Sequence, residues 1–205
     1  MGKYSGSTKG KICRRFGVNL FGNLKYDRLL AKRPNAPGVH GANQARKKVS
    51  EYGRQLNEKQ KLKIMYGLRE KQFRITFDRA ARKTGITGHN LLQLLELRLD
   101  NVIFRMGWAS TRSAARQLIS HGHIKVNNTK VNIASYSVRE GEEITIKDSA
   151  RSKALVQRNI ENSSRNETPE WIEVGELKAK IARMPLREEM PSVADEQMVV
   201  ELYSK

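Results

Sequence analysis

Between Arg98 and Asn127 the chain reads RLDNVIFRMGWASTRSAARQLISHGHIKVN, a run that admits few folds. Leu95, Leu99, Val102, Ile103 and Met106 recur at helical spacing as an apolar face, while Arg98, Asn101 and Arg105 at i, i+3 and i+7 share a polar one. Gly107 predicts the end of that helix. Thr111 as N-cap opens a second helix that ends at Gly122, with Ala114, Ala115, Leu118 and Ile119 inward and Arg112 and Arg116 stacked at i, i+4. Ile124-Lys125-Val126 then alternates as a strand, Asn127-Asn128 tolerates the left-handed backbone of a hairpin turn, and Lys130-Val131-Asn132 returns. Glu143 to Lys147 predicts one more strand. Two amphipathic helices on a small sheet make an α+β unit.

The charges in this stretch point outward to a ligand. A cation in the first turn of a helix, as at Arg112, is unfavourable by roughly 0.3–1 kcal/mol because the macrodipole is positive there. An arriving phosphate reverses that sign, and an arginine beside it supplies a two-pronged donor. Arg98, Arg105, Arg112, Arg116 and Lys125 close together predict a polyanion surface. Asp100, between Arg98 and Arg105, is expected to form an orienting ion pair rather than to act as a catalytic carboxylate. His121 and His123 flank Gly122 without a neighbouring cysteine, so they read as RNA-facing or structural, with no metal or other cofactor.

The same conclusion follows from charge. Lys and Arg number 39 against 21 Asp and Glu, for a formal net charge of +18 and a pI near 10.2, which points to a polyanion partner. Residues 1–83 hold 22 basic and 5 acidic side chains, residues 84–160 hold 11 and 6, and residues 161–205 hold 6 and 10. The electrostatic footprint is therefore amino-terminal. One cysteine, Cys13, excludes an internal disulfide framework and a cysteine-rich zinc site. No apolar run approaches the roughly 18–20 residues that span a bilayer, and the start MGKYSGSTKGK lacks the apolar core of a signal peptide, so no membrane partner is expected.

Along the chain, residues 1–45 are rich in Gly, Pro and basic residues with Asp27 as their one acid, and predict a loop-rich basic arm that orders on RNA. Between Pro34 and Gly41, the prolines restrict the residues before them and Gly38 and Gly41 permit positive φ. From Ser50 to Lys83 the pattern is helical, with Asn57 as a cap and Phe73, Phe77 and Ala80 inward. Tyr52 and Tyr66 are candidates to stack on bases. Thr84-Gly85-Ile86-Thr87-Gly88 marks a joint ahead of a leucine-rich helix starting near Asn90. Residues 149–169 predict a helix fragment and a mobile linker, after which Trp171, Ile172, Val174 and Leu177 are expected to pack back on the helical domain.

The segment 98–127 resembles the S-four RNA-binding domain, and the flanks resemble the bacterial and organellar small-subunit ribosomal proteins that carry it. The flanking motifs are Ala36-Pro37-Gly38-Val39-His40-Gly41, Glu58-Lys59-Gln60-Lys61 with Tyr66-Gly67, Glu70-Lys71-Gln72-Phe73-Arg74, and the ending Val199-Val200-Glu201-Leu202-Tyr203-Ser204-Lys205. The resemblance covers nearly the whole chain. It implies an extension at 1–45, a helical rRNA-binding domain at 46–88 completed by 165–205, and an inserted S-four domain at 89–164 with two helices on a mainly antiparallel sheet. Some relatives carry a four-cysteine zinc site near the start, which this chain lacks.

It further implies a non-enzymatic component of the cytoplasmic ribosome that binds the 5′ domain of small-subunit rRNA early in assembly. Its neighbours would be other small-subunit proteins and mRNA near the path by which it enters, with translational autoregulation in some members. The rRNA contacts expected are Arg14, Arg15, His40, Arg46, Lys47, Lys48, Tyr52, Gln55, Lys59, Lys61, Lys63, Tyr66, Lys71, Gln72, Arg74, Arg98, Asn101, Arg105, Arg112, Arg116, His121 and Lys125. The rival readings are an RNA-modifying enzyme that uses the domain for targeting, a ribosome-associated quality-control factor, and a nucleoid DNA-binding protein. The first needs a catalytic constellation and the last a base-reading recognition helix.

Overall fold

The computed structural model describes residues 8–44, 48–162, 168–175 and 177–204. It is α+β, with helices first and a five-stranded antiparallel sheet later. Two compact units divide it: residues 1–75 with 191–205, and residues 76–190.

In the first unit, α1 (Lys9–Phe16) and α2 (Leu24–Lys32) replace the loop expected there, followed by the short α3 (Gly41–Gln44). The basic arm manages this because its few apolar residues converge. Ile12 and Leu20 are buried in one cluster with Ile64, and Phe16, Phe21 and Val193 pack around it. Asn23 caps α2 by accepting from the Lys25 N–H. Gly38 takes a φ of +104° as expected, whereas Gly41 is required for closeness: a Cβ there would run into the Ala36 carbonyl. Helix α4 (Glu51–Met65) is capped by Ser50, whose hydroxyl accepts from the Gly53 N–H at 3.2 Å. Asn57 is therefore inside α4 and caps nothing. Helix α5 (Glu70–Ala81) follows, with Phe73, Phe77 and Ala80 buried as the spacing predicts.

The second unit begins within α5. Asn90 sits on α6 (Thr87–Glu96) and directs its amide to the carbonyls of Ala80, Lys83 and Thr84, tying off the end of α5. Helices α7 (Leu99–Arg105) and α8 (Arg112–Ser120) pack against each other. Thr111 caps α8 as predicted, its hydroxyl accepting from the Ala114 N–H at 3.1 Å. Strands β1 (Ile124–Val126) and β2 (Thr129–Lys130) form the expected hairpin, with Asn127 and Asn128 at φ of 47° and 62°. Strand β3 (Glu143–Ile146) pairs with β1, and α9 (Ala150–Asn162) follows.

The main departure from the sequence reading lies between 165 and 190. Strands β4 (Ile172–Val174) and β5 (Lys178–Ile181) extend the same sheet, in the order β2-β1-β3-β5-β4. Ile124, Val126, Ile144, Ile146, Ala179 and Ile181 turn one face to a core that also holds Leu99, Val102, Ile103, Trp108, Ala115, Leu118, Ile119 and Val156. Trp171 and Ile172 are buried in that core and Leu177 packs on it, so these residues do not return to the helical domain; Val174 is 39% exposed. The reason is local. Lys178-Ala179-Lys180-Ile181 alternates, and β3 offers an open edge that β5 satisfies. Trp108 and Trp171 each bury about 150–250 Å², worth roughly 4–6 kcal/mol apiece at 25 cal/mol per Å².

The chain rejoins the first unit only from residue 191. There α10 (Glu196–Ser204) packs on α4 through Gln55, whose amide donates to Glu201 at 3.0 Å. Tyr203 stacks on Phe73 with ring centroids 6.2 Å apart and donates its hydroxyl to Glu70 at 2.9 Å. Lys59 and Lys63 also donate to Glu70, at 2.7 and 2.8 Å. Burial pushes the Glu70 carboxyl up, but the hydrogen bonds from Lys59, Lys63 and Tyr203 outweigh it and hold the group down at about 2, from 4.5.

Two outcomes are expected. Thr111→Ala loses the cap of α8, about 1 kcal/mol, and lowers the melting temperature by roughly 2–4 °C in calorimetry. Because the Glu70 value is depressed on folding, its contribution is fully present above pH 4.5 and disappears as pH falls through about 2. Circular-dichroism melts across that window should show Glu70→Gln losing less stability than the parent chain; parallel curves would mean solvent screens the contact.

Candidate RNA-binding surface

The beginning of α7 is fixed by backbone stitching. Leu99 and Asp100 donate their N–H groups to the carbonyls of Tyr136 and Ala134, and Val138 donates to Leu97. Helix α8 lies alongside, its first residue set by the Thr111 cap. Five polar side chains from these two helices, Arg98 just before α7 and Glu96 at the end of α6 thereby form two hydrogen-bonded groups, one on Asp100 and one on Glu96.

Two carboxylates organise the meeting, and both are almost wholly buried: Glu96 and Asp100 are each 1% exposed. Asp100 accepts from Arg98 through Nε at 3.2 Å and Nη2 at 3.1 Å, and from Arg116 Nε at 2.6 Å. Glu96 accepts from Arg105 through Nε at 3.0 Å and Nη2 at 2.9 Å, and from the Asn101 amide at 2.8 Å. The Asn101 oxygen in turn accepts from Arg112 Nε at 2.8 Å, and the Arg112 guanidinium lies 4.4 Å from the centroid of the Phe104 ring. The expected Asp100 ion pair thus exists with Arg98 and Arg116, while Arg105 belongs to Glu96. Asn101 is 1% exposed and joins Glu96 to Arg112, so it orients an arginine rather than meeting a ligand itself. Four cations on two buried anions leave this group of named side chains with a surplus of positive charge.

Glu96 escaped the sequence reading. A single acid at the end of a leucine-rich helix looks like a solvated terminus, and only its spacing of five and nine residues from Asn101 and Arg105 could have signalled otherwise. Elsewhere in this unit, Lys125 is half-buried on β1 and His121 is exposed at the end of α8. The His121 ring is 6.1 Å from His123, which shares a hydrogen bond with Ser152 at 2.8 Å. Among the described residues no three His, Cys, Asp or Glu side chains converge to hold a metal ion, and no helix is long and apolar enough to cross a membrane.

The first unit distributes its candidates differently. Arg15, His40, Lys48, Tyr52, Lys71, Gln72 and Arg74 are exposed, with Arg15 lying over the Phe16 ring. Arg14 donates to the carbonyls of Asn35 and Ala36, which braces the turn before α3. Lys59 and Lys63 are held on Glu70 and Lys61 on Glu58. Two candidates are corrected outright: Tyr66 is 1% exposed and cannot stack on a base, and Gln55 is 1% exposed and spent on Glu201. Gln55 faces inward because α10 covers that side of α4, and Tyr66 is buried just past the end of α4. Arg46 and Lys47 lie outside the described residues.

Comparison with known proteins bears on both units. The family described as Ribosomal protein S4/S9 N-terminal domain matches residues 3–96, and the S4 domain family matches residues 97–144. The small ribosomal subunit protein uS4 of Borrelia turicatae is 51% identical over 200 residues, covering 96% of each chain. That of Akkermansia muciniphila is 51% identical over 207 residues and covers 100% of each, and that of Borreliella burgdorferi is 49% identical over 201 residues and covers 96% of each. With an α+β fold, an arginine-rich helical pair and identity of this extent across both units, the chain belongs to the small ribosomal subunit protein uS4 family.

Proposed function

We propose that this chain is a structural constituent of the cytoplasmic small ribosomal subunit that binds the 5′ domain of its rRNA early in assembly. The observation that carries this reading is the gathering of Arg98, Arg105, Arg112 and Arg116 around two buried carboxylates, on a chain of net charge +18. Guanidinium groups suit phosphates because their planar fork matches two oxygens at once. Their neutralising effect releases counterions, and a fixed arrangement of them selects a folded RNA by shape.

The exposed Arg15, His40, Lys48, Tyr52, Lys71, Gln72 and Arg74 supply further contacts on the first unit. Other small-subunit proteins, and mRNA near the path by which it enters, are the remaining neighbours in this reading. The family is structural, and the chain is not an enzyme.

The test is a titration of the whole chain into a 5′-domain rRNA fragment and into a random duplex of equal length, between 50 and 200 mM salt. With roughly 6–10 phosphate contacts, affinity falls on the order of 10³–10⁵-fold over that range, and the rRNA preference persists at the upper end. Equal weakening on both ligands would leave only a polycation. In the same assay Arg112→Ala with Arg116→Ala weakens rRNA binding and flattens the log–log salt slope by about 2, one for each lost phosphate contact; an unchanged slope would remove both from the interface.

A further inference from the structure

We infer that Glu96 and Asp100 are positioning residues for RNA recognition: buried carboxylates that aim the arginines of α7 and α8, so that the module reads phosphate arrangement and not merely charge. This rests on the rRNA-binding reading above. Acids in a phosphate-binding surface oppose the ligand electrostatically, and these two are also costly for folding, because two carboxylates have been taken out of water. Replacing whole buried ion pairs, acid and base together, by well-packed apolar residues is often neutral or stabilising. What the carboxylates supply that an apolar pair does not is orientation. Arg98 and Arg105 are each held by the same two-nitrogen edge, Nε with Nη2. Each guanidinium plane is therefore set by a carboxylate that is itself buried. Arg116 is fixed by Asp100 at 2.6 Å, and Arg112 by Asn101, which Glu96 holds. Two acids thus govern the direction of four cations on α7, α8 and the residue before α7, at an entropy cost already met on folding.

Asp100→Asn and Glu96→Gln separate aim from charge, because each raises the net charge by one. If the surface were only a polycation, both variants would bind the rRNA fragment and the random duplex as tightly as the parent chain or more so. Positioning gives opposite signs: rRNA affinity at about 150 mM salt falls tenfold or more, while duplex affinity is unchanged or rises, so their ratio drops. Melting curves of each variant establish that it is folded at the temperature of the assay. Should the amide variants not fold, Arg98→Lys and Arg116→Lys decide the matter, since they keep the charge and lose the planar fork; the same drop in ratio is expected. A folded amide variant that retains the parent preference, or lysine variants that retain it where the amides do not fold, overturns the inference. A parent chain with no rRNA preference instead overturns the functional reading beneath it.

Discussion

Placing two carboxylates in an apolar interior is the demand around which the second unit is arranged. Glu96 and Asp100 are nearly inaccessible to water, and an ionised group in that position is tolerated only when paired and fully hydrogen-bonded. Each finds its partners at close range, Asp100 in Arg98 and Arg116, Glu96 in Arg105 and Asn101. Those partners come from the turn before α7, from α7 itself and from α8. The two helices are consequently fixed to each other by polar contacts on one side and by Leu99, Val102, Ile103, Ala115, Leu118 and Ile119 on the other. Removing one partner of such a pair typically costs about 3–5 kcal/mol, so the register between the helices has little freedom.

The sheet beneath provides the second restraint. Strands β1 and β3 alone would leave an unpaired edge and an incompletely covered core; β5 and β4 complete the sheet, and Trp171 and Ile172 close the apolar layer. The helices that carry the arginines therefore rest on a five-stranded base rather than on a hairpin. In the first unit, the corresponding restraint is ionic and aromatic at once. Glu70 gathers Lys59, Lys63 and Tyr203, and the Tyr203 ring lies against Phe73. A basic stretch that would repel itself is thereby given one shared anion and an aromatic cover.

This arrangement divides the cations into two kinds. Arg14, Lys59, Lys61 and Lys63 spend their donors on the protein's own carbonyls and carboxylates, while Arg15, Lys48, Lys71 and Arg74 stand exposed. In the second unit the distinction blurs, since Arg98, Arg105 and Arg116 are both ion-paired and partly exposed. A guanidinium can serve both roles because its five donors exceed what one carboxylate accepts.

The linear sequence determined a good deal by itself. Periodicity located α8 and the inward residues of α7, although it ran Leu95 and Arg98 into one helix that the structure breaks between Glu96 and Leu99; Thr111 announced a cap and Asn127-Asn128 marked the hairpin, because each of these depends on residues within a few positions of one another. Net charge and its skew toward the first 83 residues indicated a polyanion partner for the same reason: they need no knowledge of contacts. What only the tertiary structure decided was which polar residues face inward. Gln55 and Tyr66 looked available and are buried, Gln55 against Glu201 of α10, Trp171 joined the sheet core, and Glu96 became the partner of Arg105. A residue's exposure depends on what a distant segment lays over it, and no local pattern carries that information; that is why the arginines could be named from sequence and the carboxylates that aim them could not.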